Sequence, residues 1–109
     1  MVLERAMVWP DGWMASEIVS EEGLHAVGTL FDLDASAWWS DIASGQQRLF
    51  VVAQVGGPLA RQMVVKLRSH GSAWTADTLM HSSMAAVTNP AYLQRVNELA
   101  ARMTQLENA

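Results

Sequence analysis

Cysteine is absent from this chain of 109 residues. The absence excludes a disulfide framework, a thiolate metal site and a cysteine nucleophile together, and it suits a reducing compartment. The first residues, Met1 to Arg5, lack the basic start and apolar core of an export signal. The longest apolar run, residues 49–53, is far shorter than the roughly 20 residues that span a bilayer. We therefore expect a soluble cytoplasmic protein.

Motifs that would bind a metal or a cofactor are also missing. His25, His70 and His81 are the residue type that most often serves as metal ligand or neutral-pH base. None of them has a companion at a diagnostic spacing such as His-Glu-x-x-His. The Gly56-Gly57 pair is followed by a proline, without the lysine of a phosphate-binding loop, and predicts only a turn. The sequence predicts neither a metal nor a cofactor.

The net charge of −4 hides an asymmetry between two halves of the chain. Residues 1–45 carry eight acidic side chains and one arginine, whereas residues 46–109 carry six basic and three acidic side chains. Such halves can pair within one fold or across a symmetric dimer. We expect a homodimer in which the acidic N-terminal strands meet the partner's basic strand, with Arg61, Lys66 and Arg68. The pattern argues against nucleic acid as the main partner, since phosphate binding rewards a dominant positive surface.

Short strand-forming stretches separated by glycine turns dominate the first part of the chain. Residues 3–9 and 13–19 flank Pro10-Asp11-Gly12, which predicts a hairpin. A second turn at residues 20–23 leads into an alternating stretch, residues 24–31, which we interpret as a third strand. Both hairpin turns end in a glycine, so Gly12 and Gly23 are expected to have positive φ.

The middle of the chain predicts one short helix followed by further strands. Residues 35–44 suit a helix, with Gly45 just past its end. At least one of the indoles of Trp38 and Trp39 should be buried against the sheet, but adjacent helical residues diverge by about 100°, so the other should face elsewhere. Residues 47–55 predict a central strand covered on both sides. Two further strands complete the predicted sheet, at residues 60–69 and 73–82. The first of them is expected to have one buried and one wet face.

The clearest element is a C-terminal helix. Asn89 suits the cap position and Pro90 the first helical position. Apolar residues follow at spacings of four, three, four and three, which predicts one buried stripe made of Tyr92, Val96, Leu99, Met103 and Leu106. The chain is thus expected to be one α+β domain over residues 1–109, with an antiparallel meander of five to six strands, a short middle helix and a C-terminal amphipathic helix.

Two classes of function fit these features. The first is a small acidic, non-catalytic protein that binds or assembles other polypeptides, because the five tryptophans and seven methionines are types enriched in interfaces. Its candidate partner-binding residues are Trp38, Trp39, Arg61, Lys66 and Arg68. The second is a cofactor-free enzyme of the isomerase or cyclase kind, with an apolar cavity lined by tryptophan.

The enzyme hypothesis needs an acid or base, and the candidates are His25 and Asp32. His25 is more typical of a solvent face near a turn, and Asp32 and Asp34 are more typical of residues that initiate a helix. A deep closed cavity that contains a buried histidine or carboxylate would favour the enzyme.

Overall fold

The computed structural model describes residues 6–54, 62–81 and 90–107. Its strands form one antiparallel sheet, and its helices lie between the second and third strands and after the fifth, which confirms the predicted α+β class. The strands are β1 Ala6–Val8, β2 Trp13–Glu17, β3 Gln47–Gln54, β4 Gln62–His70 and β5 Ala73–His81. The helices are α1 Glu21–Phe31, a 3₁₀ turn Ser36–Trp38 that continues into α2 Trp39–Ala43, and α3 Pro90–Glu107.

The sheet is a meander in the order β1-β2-β3-β4-β5, so every strand pairs with its neighbours in sequence. Strand β3 is its centre, and successive residues of β3 enter two different apolar clusters. Phe50 and Val52 join the cluster beneath α3, whereas Leu49 joins the cluster beneath α1 and α2. We call these sides the α3 face and the α1 face. The predicted two-sided burial of this strand is confirmed.

Strand β4 differs from its prediction on one face. Met63, Val65 and Leu67 are buried on the α3 face as expected. On the other face Val64 is also buried, because it packs with Leu49 beneath α1. Gln62 at one end of that face and Arg68 and His70 at the other are exposed, but its middle is not the wet surface that alternation predicted.

The first predicted hairpin is confirmed. Strands β1 and β2 are antiparallel, with Val8 opposite Met14, and the turn is closed by the amide of Trp9, which donates to the carbonyl of Trp13 at 2.8 Å. Gly12 has φ of 91°, as the turn requires. Residues 3–5, which were expected to extend the first strand, lie outside the described residues.

The second predicted hairpin is wrong, because residues 21–31 form helix α1 rather than a strand. Ser20 is its N-cap, and the side-chain oxygen accepts from the amide of Gly23 at 3.0 Å. Gly23 is accordingly the first-turn residue bound by the cap, and it does not have the positive φ that we predicted. The helix buries Leu24, Val27 and Gly28 against the sheet, at the three-to-four residue spacing of a helix rather than the alternation of a strand.

The turns after α2 and between β4 and β5 lie where the sequence predicts them. Gly45, with φ of 80°, follows α2, and Gly71, with φ of 68°, forms the turn between β4 and β5. The pairing of β4 with β5 shifts register between Lys66 and Leu67, which leaves Asp77 as an extra residue in β5. The predicted turn at residues 56–58 and the predicted cap Asn89 lie outside the described residues.

Helix α3 buries four of the five stripe residues: Tyr92, Val96, Leu99 and Met103. The fifth, Leu106, is 45% exposed, so its predicted burial is wrong. Thr104, two residues before Leu106, accepts a hydrogen bond from the amide of Trp74, near the start of β5. None of the helices in the described part of the chain is long and apolar enough to cross a membrane.

Candidate functional site

Three of the five predicted partner-binding residues come together on the α1 face. The Lys66 ammonium lies 5.1 Å from the centroid of the Trp38 ring and 3.4 Å from a carboxylate oxygen of Asp77. Arg68 lies 3.3 Å from the same oxygen. The extra residue in β5 thus places one carboxylate between two cations. Asp77 offsets one of the two positive charges within the chain, so this cluster presents one net positive charge rather than two to a partner.

The other two predicted residues do not join this cluster. Trp39 follows Trp38 but faces a different part of the surface, as the divergence of adjacent helical residues predicts. Contrary to the expected burial of one indole, both are only half-buried, each packing against the edge of the apolar cluster beneath α1. Arg61 lies outside the described residues.

Trp39 lines a groove of about 680 Å³ that runs between α1 and the segment of residues 32–39. We call it the α1 groove. One wall is a single face of helix α1, and the opposite wall is the 3₁₀ turn with the residues before it. Its lining residues are Glu21, Leu24, His25, Gly28, Thr29, Asp32, Leu33, Asp34, Ala35, Ser36 and Trp39.

Two backbone features shape the α1 groove. Gly28 is buried, and a Cβ atom at this position would lie 2.8 Å from the carbonyl oxygen of Leu33, so only glycine lets the chain return this closely to the helix. Asp32 ends α1 in the left-handed conformation, with φ of 55° and ψ of 51°. Asp32 therefore closes α1 instead of initiating the next helix. Asp34 accepts a hydrogen bond of 2.6 Å from the hydroxyl of Ser36, at the start of the 3₁₀ turn.

The α1 groove is acidic. Glu21, Asp32 and Asp34 line it, and none of the described lysine and arginine residues does. Within the described residues, no basic side chain forms an ion pair with any of these three carboxylates. Asp32 and Asp34 also follow the C-terminus of α1, the end of a helix that attracts cations rather than anions. The groove therefore concentrates negative charge that the described part of the chain does not neutralise.

The residues of the enzyme hypothesis, His25 and Asp32, both line this groove beside Trp39. Each of the two side chains is exposed, and the groove is open, whereas the enzyme hypothesis requires a closed cavity around a buried acid or base. Within the described ranges, no three histidine or acidic side chains are grouped so that they could hold a metal ion.

A second cluster, which the sequence did not reveal, joins the first hairpin to α3. The guanidinium of Arg95 lies 5.4 Å from the centroid of the Trp9 ring and 5.5 Å from that of Trp13. Arg95 also pairs with Asp11 at the hairpin turn and with Glu98, the latter at 3.0 Å. The hydrogen bond from Arg95 lowers the pKa of Glu98, and a hydrogen bond from Trp9 adds to that effect.

A third contact buries an ion pair on the α3 face. Arg48 donates two hydrogen bonds to Glu17, at 2.8 Å and 2.5 Å, and the Glu17 side chain is only 5% exposed. The Arg48 guanidinium also lies 5.9 Å from the centroid of the Trp74 ring. Together with the pair of Arg95 and Asp11, this contact joins the acidic half of the sequence to the basic half within one chain.

No protein-family model matches the chain, and comparison with curated proteins and with solved structures finds no similar protein. The function is therefore argued from the geometry of the α1 groove and from the charges around it.

Proposed function

We propose that this protein is a non-catalytic binding protein that holds another polypeptide in the α1 groove. The observation that carries the proposal is the groove itself, an open channel of about 680 Å³ with an indole and three carboxylates in its walls. An aromatic anchor surrounded by polar side chains is the usual composition of a protein interface.

The dimensions of the α1 groove favour an extended chain as its occupant. The lining residues Glu21 and Asp32 mark the two ends of one face of α1. At the helical rise of about 1.5 Å per residue, they are about 16 Å apart along the axis, which is the length of about five residues of extended chain. Polar side chains along this face, such as Thr29, are exposed and could contact a chain lying in the groove.

A pair of arginine substitutions on α1 tests this proposal. Thr29→Arg places a long side chain in the groove, whereas Ala26→Arg places the same side chain on an exposed part of α1 outside the groove. The tagged wild-type protein and both variants are purified from the native host, and co-purifying polypeptides are quantified by mass spectrometry. We expect one stoichiometric partner with the wild type and Ala26→Arg, and its loss with Thr29→Arg. Equal recovery of that partner by Thr29→Arg contradicts the proposal.

Self-association and a cytoplasmic location are further parts of the proposal. The electrostatic reason for a homodimer is weaker than the sequence suggested, because Lys66 and Arg68 pair with Asp77 of the same chain. A dimer would therefore rest on apolar contacts, for which exposed residues such as Val8 and Leu30 are available, with 72% and 66% of their surface exposed.

A further inference from the structure

We infer that the polypeptide segment held in the α1 groove presents an arginine side chain to Trp39 and the neighbouring carboxylates. The inference rests on the proposed function, because it specifies the chemistry of the polypeptide that the groove would bind. Two independent features of the structure support it. One is that Trp39 has no basic side chain stacked on its ring within the described residues, and the other is the negative charge of the groove.

The tryptophans of this chain differ in whether a basic side chain stacks on the indole ring. Four of the five have a basic side chain stacked on the ring: Arg95 lies over Trp9 and Trp13, Lys66 over Trp38, and Arg48 over Trp74. Trp39 is the tryptophan on which no lysine or arginine of the described residues stacks. It is half-buried and lines the α1 groove. An indole face attracts a cation, so a cation from a partner is the complementary group.

The negative charge of the groove also favours a cation from the partner. Glu21, Asp32 and Asp34 have no cationic partner within the described residues, although four of the five described lysine and arginine side chains lie beside a carboxylate elsewhere: Arg48, Lys66, Arg68 and Arg95. Asp32 and Asp34 stand beside the negative end of the α1 dipole, where a cation is stabilised. Arginine suits both features, because its planar guanidinium stacks on aromatic rings and donates to carboxylates at the same time.

A short synthetic peptide tests this inference directly. The probe is Ac-Ala-Arg-Leu-Arg-Ala-NH2, and the control is the same peptide with citrulline, which is neutral and similar in shape, in place of arginine. Binding is followed by heteronuclear NMR through the indole N–H signals of the five tryptophans, with the Trp39 signal assigned from a Trp39→Phe variant. We expect the arginine peptide to bind at least about tenfold more tightly than the citrulline peptide, to shift the Trp39 signal most, and to bind more weakly as salt increases.

Charge-neutralising variants locate the site. The double variant Asp32→Asn and Asp34→Asn removes two carboxylates, and asparagine tolerates the left-handed conformation at position 32. Glu22→Gln is the control for loss of a carboxylate on α1 outside the groove, where Glu22 is exposed. We expect the double variant to bind the arginine peptide about tenfold more weakly, and the control to bind it as the wild type does. Thermal unfolding of both variants establishes that they remain folded.

Several outcomes overturn the inference. These are equal affinity for the arginine and citrulline peptides, no binding of the arginine peptide to the wild type, or equal weakening by the double variant and by Glu22→Gln. Agmatine serves as a free guanidinium compound, and tighter binding of agmatine than of the peptide would also overturn it. If Thr29→Arg still removes the partner from the purified protein, the proposed function stands and only the arginine specificity fails.

Discussion

Arg95 of helix α3 lies 5.5 Å from the centroid of the Trp13 ring in strand β2, and Trp13 in turn meets Tyr92 edge to face, with the ring centroids 4.8 Å apart. Arg95 also stacks on Trp9 and pairs with Asp11, a residue 84 positions away in sequence. One arginine thus joins the first hairpin to the C-terminal helix, through stacking on two indoles and through one ion pair.

Replacement of this arginine should destabilise the protein. Arg95→Met keeps the apolar stem but removes the guanidinium, and we expect the free energy of unfolding to fall by about 1–3 kcal/mol. Arg102→Met is the control, because Arg102 is an exposed arginine on the same helix. It should change stability by no more than about 0.5 kcal/mol. Urea unfolding of the two variants measures both values, and equal effects would contradict the structural role of Arg95.

The same cluster makes stability depend on pH. Arg95 lowers the pKa of Glu98 in the folded state below its unfolded value, so ionised Glu98 stabilises the fold. This contribution is fully present above the unfolded pKa of Glu98 and is lost as the pH falls through the lower folded pKa. We expect the difference in Tm between the wild type and Glu98→Gln to shrink as the pH is lowered below about 4. A difference that stays constant down to about pH 2.5 would contradict this assignment.

Local signals in the sequence were sufficient to predict most of the elements of the fold. The hairpin at Gly12, the central strand β3 and the start of α3 at Pro90 each depend on turn chemistry or on hydrophobic period, and the structure confirms all three. Helix α1 was mistaken for a strand because alternate residues from 24 to 30 are apolar or small. The same stretch also has the helical spacing of Leu24 and Val27, and the cap at Ser20 decides between the two.

The candidate site could be predicted only in part. Trp38 and Trp39 stood out because adjacent indoles cannot share one packing surface, and the structure separates them as expected. The α1 groove itself was not predictable, since it requires α1 to be a helix and requires Gly28 to admit the chain at Leu33. Arg95 carried no local signal, because its partner Asp11 is distant in sequence.

The buried stripe of α3 gives a direct test of the core. Leu99 is fully buried on the side of α3 that packs against the sheet. Leu99→Ala should lower the free energy of unfolding by about 2–5 kcal/mol. Leu106 is 45% exposed, and Leu106→Ala should cost less than about 0.5 kcal/mol. The two substitutions remove the same atoms from the same helix, so calorimetric unfolding isolates the effect of burial. A loss below about 0.5 kcal/mol for Leu99→Ala would contradict the packing of α3.

Sedimentation equilibrium tests the proposed homodimer. Because opposite charges pair within one chain, we expect a mass of twice 11.9 kDa that does not change between moderate and high salt. A dimer that dissociates at high salt would instead place charge pairs between subunits. A single species of 11.9 kDa at micromolar concentration under both conditions would end the dimer proposal.

The central claim is that the α1 groove is where this protein holds a polypeptide. Photo-crosslinking in the native host tests it most directly, with a benzophenone side chain placed at position 29 inside the groove or at position 26 on the exposed part of the same helix. We predict that position 29 gives one crosslinked polypeptide, that the crosslink maps to a segment containing arginine, and that position 26 gives none. The absence of a crosslink from position 29, or the same polypeptide in equal yield from position 26, would contradict the claim.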